Sequence, residues 1–174
     1  METLEAILKR VSTRSFTREP VTSEAVETIL KAACAAPAAM AQYEAMHITV
    51  VQSEEIILEI NQATEKVLQQ RGSIRKADTG ARTMIFLSAG PTILPPVMAY
   101  ANTGIVVENM VIAATDLGID SLILGSAPAA IAEEKALLAK MGIPEGFVPV
   151  LAVALGKATN PEPPKAHSIA IHYV

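Results

Sequence analysis

Two arginines and three hydroxyl side chains lie within one short segment near the start of the chain, Arg10-Val11-Ser12-Thr13-Arg14-Ser15-Phe16. We call residues 10–16 the arginine loop. Guanidinium groups carry a fixed positive charge and fork-shaped sets of donors, and hydroxyls add hydrogen bonds, which suits a phosphate or another oxyanion. The same residues also suit a solvated helix end, where Arg10 would complement the helix dipole. The segment alone therefore leaves both interpretations open.

The remaining side chains offer little independent chemistry. No Gly-x-Ser-x-Gly, Walker or Gly-x-Gly-x-x-Gly sequence occurs, and no two carboxylates stand out as an acid/base couple. Glu108, inside an apolar segment, is more typical of a helix or subunit contact than of catalysis. The lone Cys34 excludes an intrachain disulfide, and its alanine-rich surroundings predict a small buried thiol. The histidines are isolated and lack the spacing of a metal site: His47, His167 and His172.

Two basic residues near the end of the chain deserve comparison with the arginine loop. Lys165 and His167 follow the proline-rich stretch 160–164, which should be extended. They are either solvated charges or the completion of an anion site that Arg10 begins. The spacing alone does not choose between these alternatives.

Composition narrows the class of protein. Hydrophobic residues make up 51% of the chain and charged residues 18%, yet no uninterrupted apolar run reaches the length of a membrane span. Such an apolar chain is expected to hide surface in a subunit interface, as obligate dimers do. The net charge of −4 argues against general nucleic-acid binding. With no signal-peptide layout at the start, we expect a cytoplasmic homodimer that binds neither nucleic acid nor membrane.

Periodicity predicts alternating helices and strands that must position the two basic segments. Helices are predicted at 2–11, 53–70, 97–117 and 130–140. A further predicted helix is capped by Thr22 or Ser23 and ended by Pro37. The predicted strands are 48–51, 83–87, 120–125 and 148–155, with a turn at 126–128 and a basic surface loop at 71–82. The alternating residues 168–174 predict a further strand, and the stiff arm before it would let that strand join a neighbouring subunit's sheet.

The order of these segments resembles the nitroreductase family of flavin enzymes. At the start, a helix is followed by Arg-x-Ser-x-Arg-x-Phe, then Pro20-Val21, then a capped helix ending Ala-Ala-x-Ala-Ala-Pro37. Further on, residues 102–118 resemble the family's central helix, and Gly142-Ile143-Pro144-Glu145-Gly146 precedes a strand that ends Leu155-Gly156. The resemblance spans nearly the whole chain, although no single motif decides it.

The resemblance implies the fold and the cofactor. It implies one α+β domain over residues 1–174, with a mostly antiparallel central sheet flanked by helices. The C-terminal strand would be exchanged with the partner subunit, onto which the tail 157–174 extends. FMN would lie at the dimer interface, NAD(P)H would be the co-substrate, and a small oxidant such as a nitroaromatic or quinone would be reduced by a ping-pong mechanism.

The resemblance also implies which residues hold the flavin. Arg10 and Ser12 would hold its phosphate and ribityl region, and Arg14 would approach the pyrimidine side, where a cation stabilises the reduced ring. Backbone N–H groups of Gly125 and Ser126 would face the ring, and no side chain need act as a catalytic acid or base. The full set of cofactor-binding residues is Arg10, Val11, Ser12, Arg14, Gly125, Ser126, Lys165 and His167.

One departure from the family pattern keeps two alternatives open. Where many members read Ala-Pro-Ser-x-x-Asn-x-Gln-Pro-Trp, this chain reads Ala36-Pro37-Ala38-Ala39-Met40-Ala41-Gln42-Tyr43-Glu44-Ala45. Because that loop normally lines the flavin, the first alternative is a flavin-binding or dimeric interaction protein without turnover. The second is a dimeric scaffold whose pocket is filled by Met40, Tyr43 and Met46.

Overall fold

The computed structural model describes residues 2–174 and contains one four-stranded antiparallel sheet in the order β1-β2-β4-β3. The strands are β1 (Met46–Val51), β2 (Thr83–Ala89), β3 (Asp120–Leu124) and β4 (Val148–Gly156). The helices are α1 (Thr3–Lys9), α2 (Ser23–Cys34), α3 (Glu54–Gln70), α4 (Pro96–Asp116), α5 (Ser126–Ile131) and α6 (Lys135–Lys140). The expected α+β fold is confirmed. The exchanged strand stays a prediction, because this single chain forms no strand after Gly156 within the described residues.

The alternation of side chains along the central strands divides the core into two layers. Ile85 and Leu87 of β2 pack with α2 and α4 on one face. Met84 and Phe86, which alternate with them, pack with α3, α5 and α6 on the other. Because β2 and β4 lie in the middle of the sheet, both of their faces are buried, and every one of these four side chains is at most 4% exposed. The sheet edge formed by β3 is left free to receive the arginine loop.

The predicted helix starts are confirmed at two caps. The Thr22 hydroxyl accepts a hydrogen bond from Ala25 N–H at 3.4 Å, and the Ser53 hydroxyl accepts one from Ile56 N–H at 3.4 Å. Each satisfies a donor that a helix N-terminus leaves without a partner inside the helix. The hydroxyl caps Thr22 and Ser53 therefore determine where α2 and α3 begin.

Several helix ends differ from the sequence-based expectation. α1 ends at Lys9 because Arg10 turns to an extended conformation toward the sheet edge. The expected turn at 126–128 is the first turn of α5, and the expected helix 130–140 is interrupted at Glu134, whose ψ of 69° is not helical. α2 ends at Cys34, before Pro37, and the prediction of a buried thiol was wrong, because Cys34 is exposed.

The long helix α4 is buried on one side only. Val107, Met110 and Val111 are at most 1% exposed, whereas Tyr100 is 54% and Ile105 is 42% exposed. Within residues 2–174, α4 is also the one helix long and apolar enough to cross a membrane by length and composition. Its packing against α2 and the sheet explains much of that apolar character. The exposed apolar residues of α4 would be buried only if a second surface covered them.

Candidate functional site

The arginine loop is fastened along the free edge of the sheet. Thr13 N–H donates to the Ser121 carbonyl of β3 at 2.9 Å, so the loop runs beside β3 as a short parallel extension. The Phe16 ring, only 4% exposed, packs with Leu122 and Ala154. These contacts hold the two arginines at a fixed place against the sheet.

The first residues of the C-terminal tail hold the other side of this loop. Thr17 N–H donates to the Lys157 carbonyl at 2.9 Å, and Thr159 N–H donates to the Ser15 carbonyl at 3.0 Å. Between them, Ala158 N–H donates to a carboxylate oxygen of Asp120 at 2.8 Å. The tail is therefore directed back toward the arginine loop, although about 145 residues separate them in sequence.

The arginine loop and the tail together form a small basic cleft of about 130 Å³. Six of the eight sequence-predicted site residues line this small cleft: Arg10, Val11, Ser12, Arg14, Lys165 and His167. The Arg10 Nη1 donates to the Ser12 hydroxyl at 3.4 Å, and the Arg14 Nη1 donates to the Ser12 carbonyl at 3.1 Å. The fold thus brings Lys165 and His167 to the same place as the arginine loop, as expected of an anion site.

Glu162 also lines the small cleft, and sequence reasoning missed it. Its carboxylate accepts a hydrogen bond from Lys165 Nζ at 3.0 Å. That hydrogen bond, the charge of Lys165 and the charge of Arg14 lower the pKa of Glu162. The i,i+3 spacing of Glu162 and Lys165 was visible in the sequence, but a proline-rich segment gave no reason to apply helical spacing. The cleft therefore contains one carboxylate that competes for its cations.

A large cleft of about 640 Å³ lies next to the small one. Gly125 and Ser126, at the junction of β3 and α5, line this large cleft, so it contains the two remaining predicted residues. Arg14 lines both clefts and joins them. The floor and walls include apolar side chains from three elements, Leu68, Met84, Leu122 and Leu124. Asn61 of α3 also lines the cleft and was missed, since nothing in the sequence marks one polar residue of an amphipathic helix.

The second half of the basic loop forms the rim of the large cleft. Ala77 N–H donates to a carboxylate oxygen of Glu65 at 2.8 Å, which fastens this loop to α3. Asp78 pairs with Arg18 at 2.8 Å and accepts Gly80 N–H at 2.8 Å. Gly80 has a φ of +87°, and an added Cβ would lie 2.5 Å from the Phe16 carbonyl oxygen, so a side chain does not fit there. The rim is therefore tied to both α3 and the arginine loop.

Asp78 keeps its charge although it is partly buried. Burial, the largest single effect, would raise the pKa of Asp78, but the hydrogen bonds from Gly80 and Arg18 and the charges of Arg18 and Arg82 together lower it. The carboxylate is thus ionised and already engaged at neutral pH.

The altered loop after α2 does not fill either cleft. Met40 is 72% and Tyr43 51% exposed, and neither they nor Met46 lines the small or the large cleft. The loop is held by Ala39 N–H, which donates to the Asn102 side-chain oxygen at 3.0 Å. Within one chain, the structure therefore gives no support to a pocket filled by these three residues.

Comparison with known proteins settles the family. The model described as "Nitroreductase family" matches residues 7–157. The chain belongs to the nitroreductase family. The resemblance that the arginine loop and the central helix carry in the sequence is confirmed.

Similar proteins of known name or structure agree with this family. An Archaeoglobus fulgidus protein, provisionally named NADH dehydrogenase/NAD(P)H nitroreductase, is 32% identical over 89% of this chain and 84% of its own length. The NADPH-flavin oxidoreductase of Vibrio harveyi is 27% identical over 92% of this chain and 68% of its own length. A Desulfitobacterium hafniense nitroreductase, crystallised with bound FMN, is 29% identical and superposes with a TM-score of 0.86 over 100% of this chain and 98% of that one.

Proposed function

We propose that this nitroreductase-family protein is an FMN-dependent oxidoreductase that uses NAD(P)H to reduce small oxidants such as nitroaromatics or quinones. The observation that carries the proposal is the pair of clefts joined at Arg14, one small and basic and the other large and partly apolar. FMN has the same two parts, a phosphate monoester and an apolar tricyclic ring. The relatives' names, which include NAD(P)H nitroreductase and NADPH-flavin oxidoreductase, support the same activity.

The residues of each cleft fit the part of FMN that they would hold. Arg10, Lys165 and His167 offer charged or polar donors to a phosphate, and the Ser12 hydroxyl offers a further hydrogen bond to the phosphate or the ribityl chain. The volume of the large cleft is within the usual range for small-molecule sites, and its apolar walls suit a flat ring. When bound, FMN supplies the hydride and electron transfer between NAD(P)H and the oxidant.

The protein's part in the reaction is to bind, orient and stabilise charge. Arg14, at the junction of the clefts, would lie near the ring and favour its negatively charged reduced form. Backbone N–H groups of Gly125 and Ser126 would donate toward the ring edge. Reductant and oxidant would enter the large cleft in turn, because both must reach the same ring, and this gives ping-pong kinetics. No side-chain acid or base is required.

We also propose that the protein is a cytoplasmic homodimer in which each chain contributes one domain and a tail. The apolar side chains Leu4 and Leu8 of α1 are both 66% exposed in the single chain, and Tyr100 of α4 is 54% exposed. The tail residues Ile169 and Tyr173 are 87% and 88% exposed and alternate as in a strand. A second copy would cover these surfaces, and residues 168–174 would pair with its sheet. Sedimentation of the full chain and of a chain ending at residue 167, which keeps Lys165 and His167, would test the dimer; we expect the truncated chain to dimerise more weakly, and equal dimerisation would exclude a role for residues 168–174.

The test of function is an absorbance spectrum of the purified protein before and after loading with FMN and desalting. We expect a retained flavin spectrum that is bleached by NADH or NADPH without oxygen and restored by a quinone or nitroaromatic. Failure to retain FMN would refute the proposal. A retained flavin that neither nucleotide reduces would instead favour a flavin-binding protein without turnover, the second candidate that the altered 38–45 loop suggests.

A further inference from the structure

The rim of the large cleft carries two cations that the proposed FMN site does not use. Arg75 and Lys76 line the large cleft but not the small one, and both are exposed. Among the described residues, no carboxylate lies within the 4.0 Å ion-pair distance of either charged group. Their charges are therefore available to a ligand.

The acidic groups around these cations are already engaged. Asp78 is held by Arg18 and Gly80, and the Glu65 carboxylate accepts Ala77 N–H at 2.8 Å. The charged residues lining the large cleft are Arg14, Arg75 and Lys76 against Asp78 alone, so three positive charges minus one negative charge leave a formal charge of +2. The entrance of the cleft is thus positive in a protein whose net charge is −4, which is a local feature and not a consequence of composition.

FMN does not account for this positive rim. Its phosphate has suitable cations in the small cleft, and its ring edge has Arg14 at the junction of the two clefts. The 2′-phosphate of NADPH lies at the opposite end of the dinucleotide from the nicotinamide. A small aromatic oxidant held in the large cleft, which Arg75 and Lys76 also line, would instead bring its own substituents to these two cations.

We propose that Arg75 and Lys76 bind an anionic substituent, a carboxylate or sulfonate, of the aromatic oxidant that enters the large cleft. This inference rests on the proposed function, because the oxidant is the molecule reduced there. The guanidinium of Arg75 can bind a carboxylate through two parallel hydrogen bonds, and the ammonium of Lys76 adds a point charge. The protein would then select anionic aromatics over neutral ones of the same shape.

A binding experiment with a non-reducible pair of probes tests this selectivity. Benzoate and benzamide differ in charge but little in shape, and each can be titrated into FMN-loaded protein by its perturbation of the flavin absorbance. The test variant is Arg75→Gln/Lys76→Gln. The matched control is Arg71→Gln, which removes a charge from the same loop at a residue that lines neither cleft.

We expect wild-type protein to prefer benzoate, and the double variant to lower the benzoate-to-benzamide affinity ratio about tenfold, since each exposed ion pair contributes about a threefold factor. Arg71→Gln should leave the ratio within about twofold, because solvent and salt screen a charge outside the cleft. The kcat/KM ratio of 4-nitrobenzoate to 4-nitrobenzamide should fall in parallel with the binding ratio.

Three outcomes would overturn the inference while leaving the proposed function intact. The double variant could keep the wild-type ratio, or Arg71→Gln could lower the ratio as much as the double variant does. The double variant could instead lower the NADPH-to-NADH ratio and spare the oxidant ratio, in which case the rim binds the nucleotide phosphate. A protein that does not load FMN at all would refute both the proposed function and this inference.

Discussion

Replacing Arg10 by alanine should weaken FMN binding much more than riboflavin binding. The two flavins differ only in the phosphate, so the ratio of their dissociation constants isolates the contribution of phosphate binding in the small cleft. Arg10 is half-buried, and only its Nη1 has a side-chain partner, the Ser12 hydroxyl at 3.4 Å. A hydrogen bond to a charged group contributes about 1.5–3 kcal/mol, and partial exposure favours the lower end. A loss of about 1.5 kcal/mol weakens FMN binding by about tenfold.

The assay is quenching of flavin fluorescence on titration with apoprotein, once with FMN and once with riboflavin. Arg10→Ala should raise the FMN dissociation constant about tenfold and the riboflavin constant less than about twofold. Lys9→Ala is the matched control, because Lys9 precedes Arg10 but pairs with Glu5 and lines neither cleft. Equal weakening of both flavins would mean that Arg10 acts through loop structure. An unchanged FMN dissociation constant would show that the small cleft does not bind the phosphate through Arg10.

Three further results are expected. Glu162→Gln should tighten FMN about threefold relative to riboflavin, because its carboxylate no longer competes for an exposed cation; weaker FMN binding would refute this competition. Thr83→Val should lower the free energy of unfolding in urea by about 1–3 kcal/mol, because the buried Thr83 hydroxyl accepts a hydrogen bond from Val21 N–H at 3.0 Å. The control Thr115→Val loses only a hydroxyl that donates to a helix carbonyl, and it should lower that free energy by less than about 0.5 kcal/mol. The pKa of Asp78 is lowered in the folded protein, so its contribution to stability is present above the unfolded pKa of about 3.9 and is lost as the pH falls through the folded pKa. The difference in melting temperature between wild type and Asp78→Asn should therefore shrink from pH 6 to pH 3. A difference that grows over this range would contradict the stabilising role of the Asp78 charge.

Local chemistry in the sequence predicted the elements well where one interaction decides them. Thr22 and Ser53 were recognisable as caps because a hydroxyl before an apolar periodic run satisfies free helix donors. The β-branched and apolar runs located all four strands of the described sheet to within a few residues. The break at Glu134 was not predictable, because residues 130–140 contain no glycine or proline and consist mostly of good helix formers.

Tertiary features were predictable only through the resemblance. Periodicity does not give the strand order β1-β2-β4-β3, nor that Lys165 returns to the arginine loop. That return depends on two backbone hydrogen bonds, Thr17 to Lys157 and Thr159 to Ser15, whose donors and acceptors exist in every sequence. It also depends on the Asp120 carboxylate, which accepts Ala158 N–H and which nothing in the sequence marked for that contact. The prediction of a buried Cys34 was wrong for a related reason, because an alanine-rich segment does not show which of its residues face the core. Its neighbours Ala33 and Ala36, each 2% exposed, take the buried positions.

The altered loop after α2 lies apart from the residues that would bind the phosphate. Its turns are held by Asn102, which is 3% exposed and accepts Ala39 N–H, so the loop has a defined place outside both clefts. The contacts that assemble the small cleft come from β3 and the tail instead. Replacements in the loop therefore leave in place the cations that would hold the phosphate. A protein altered in this way should keep FMN even where its choice of oxidant has diverged, and the positive rim at Arg75 and Lys76 is where that choice would be made.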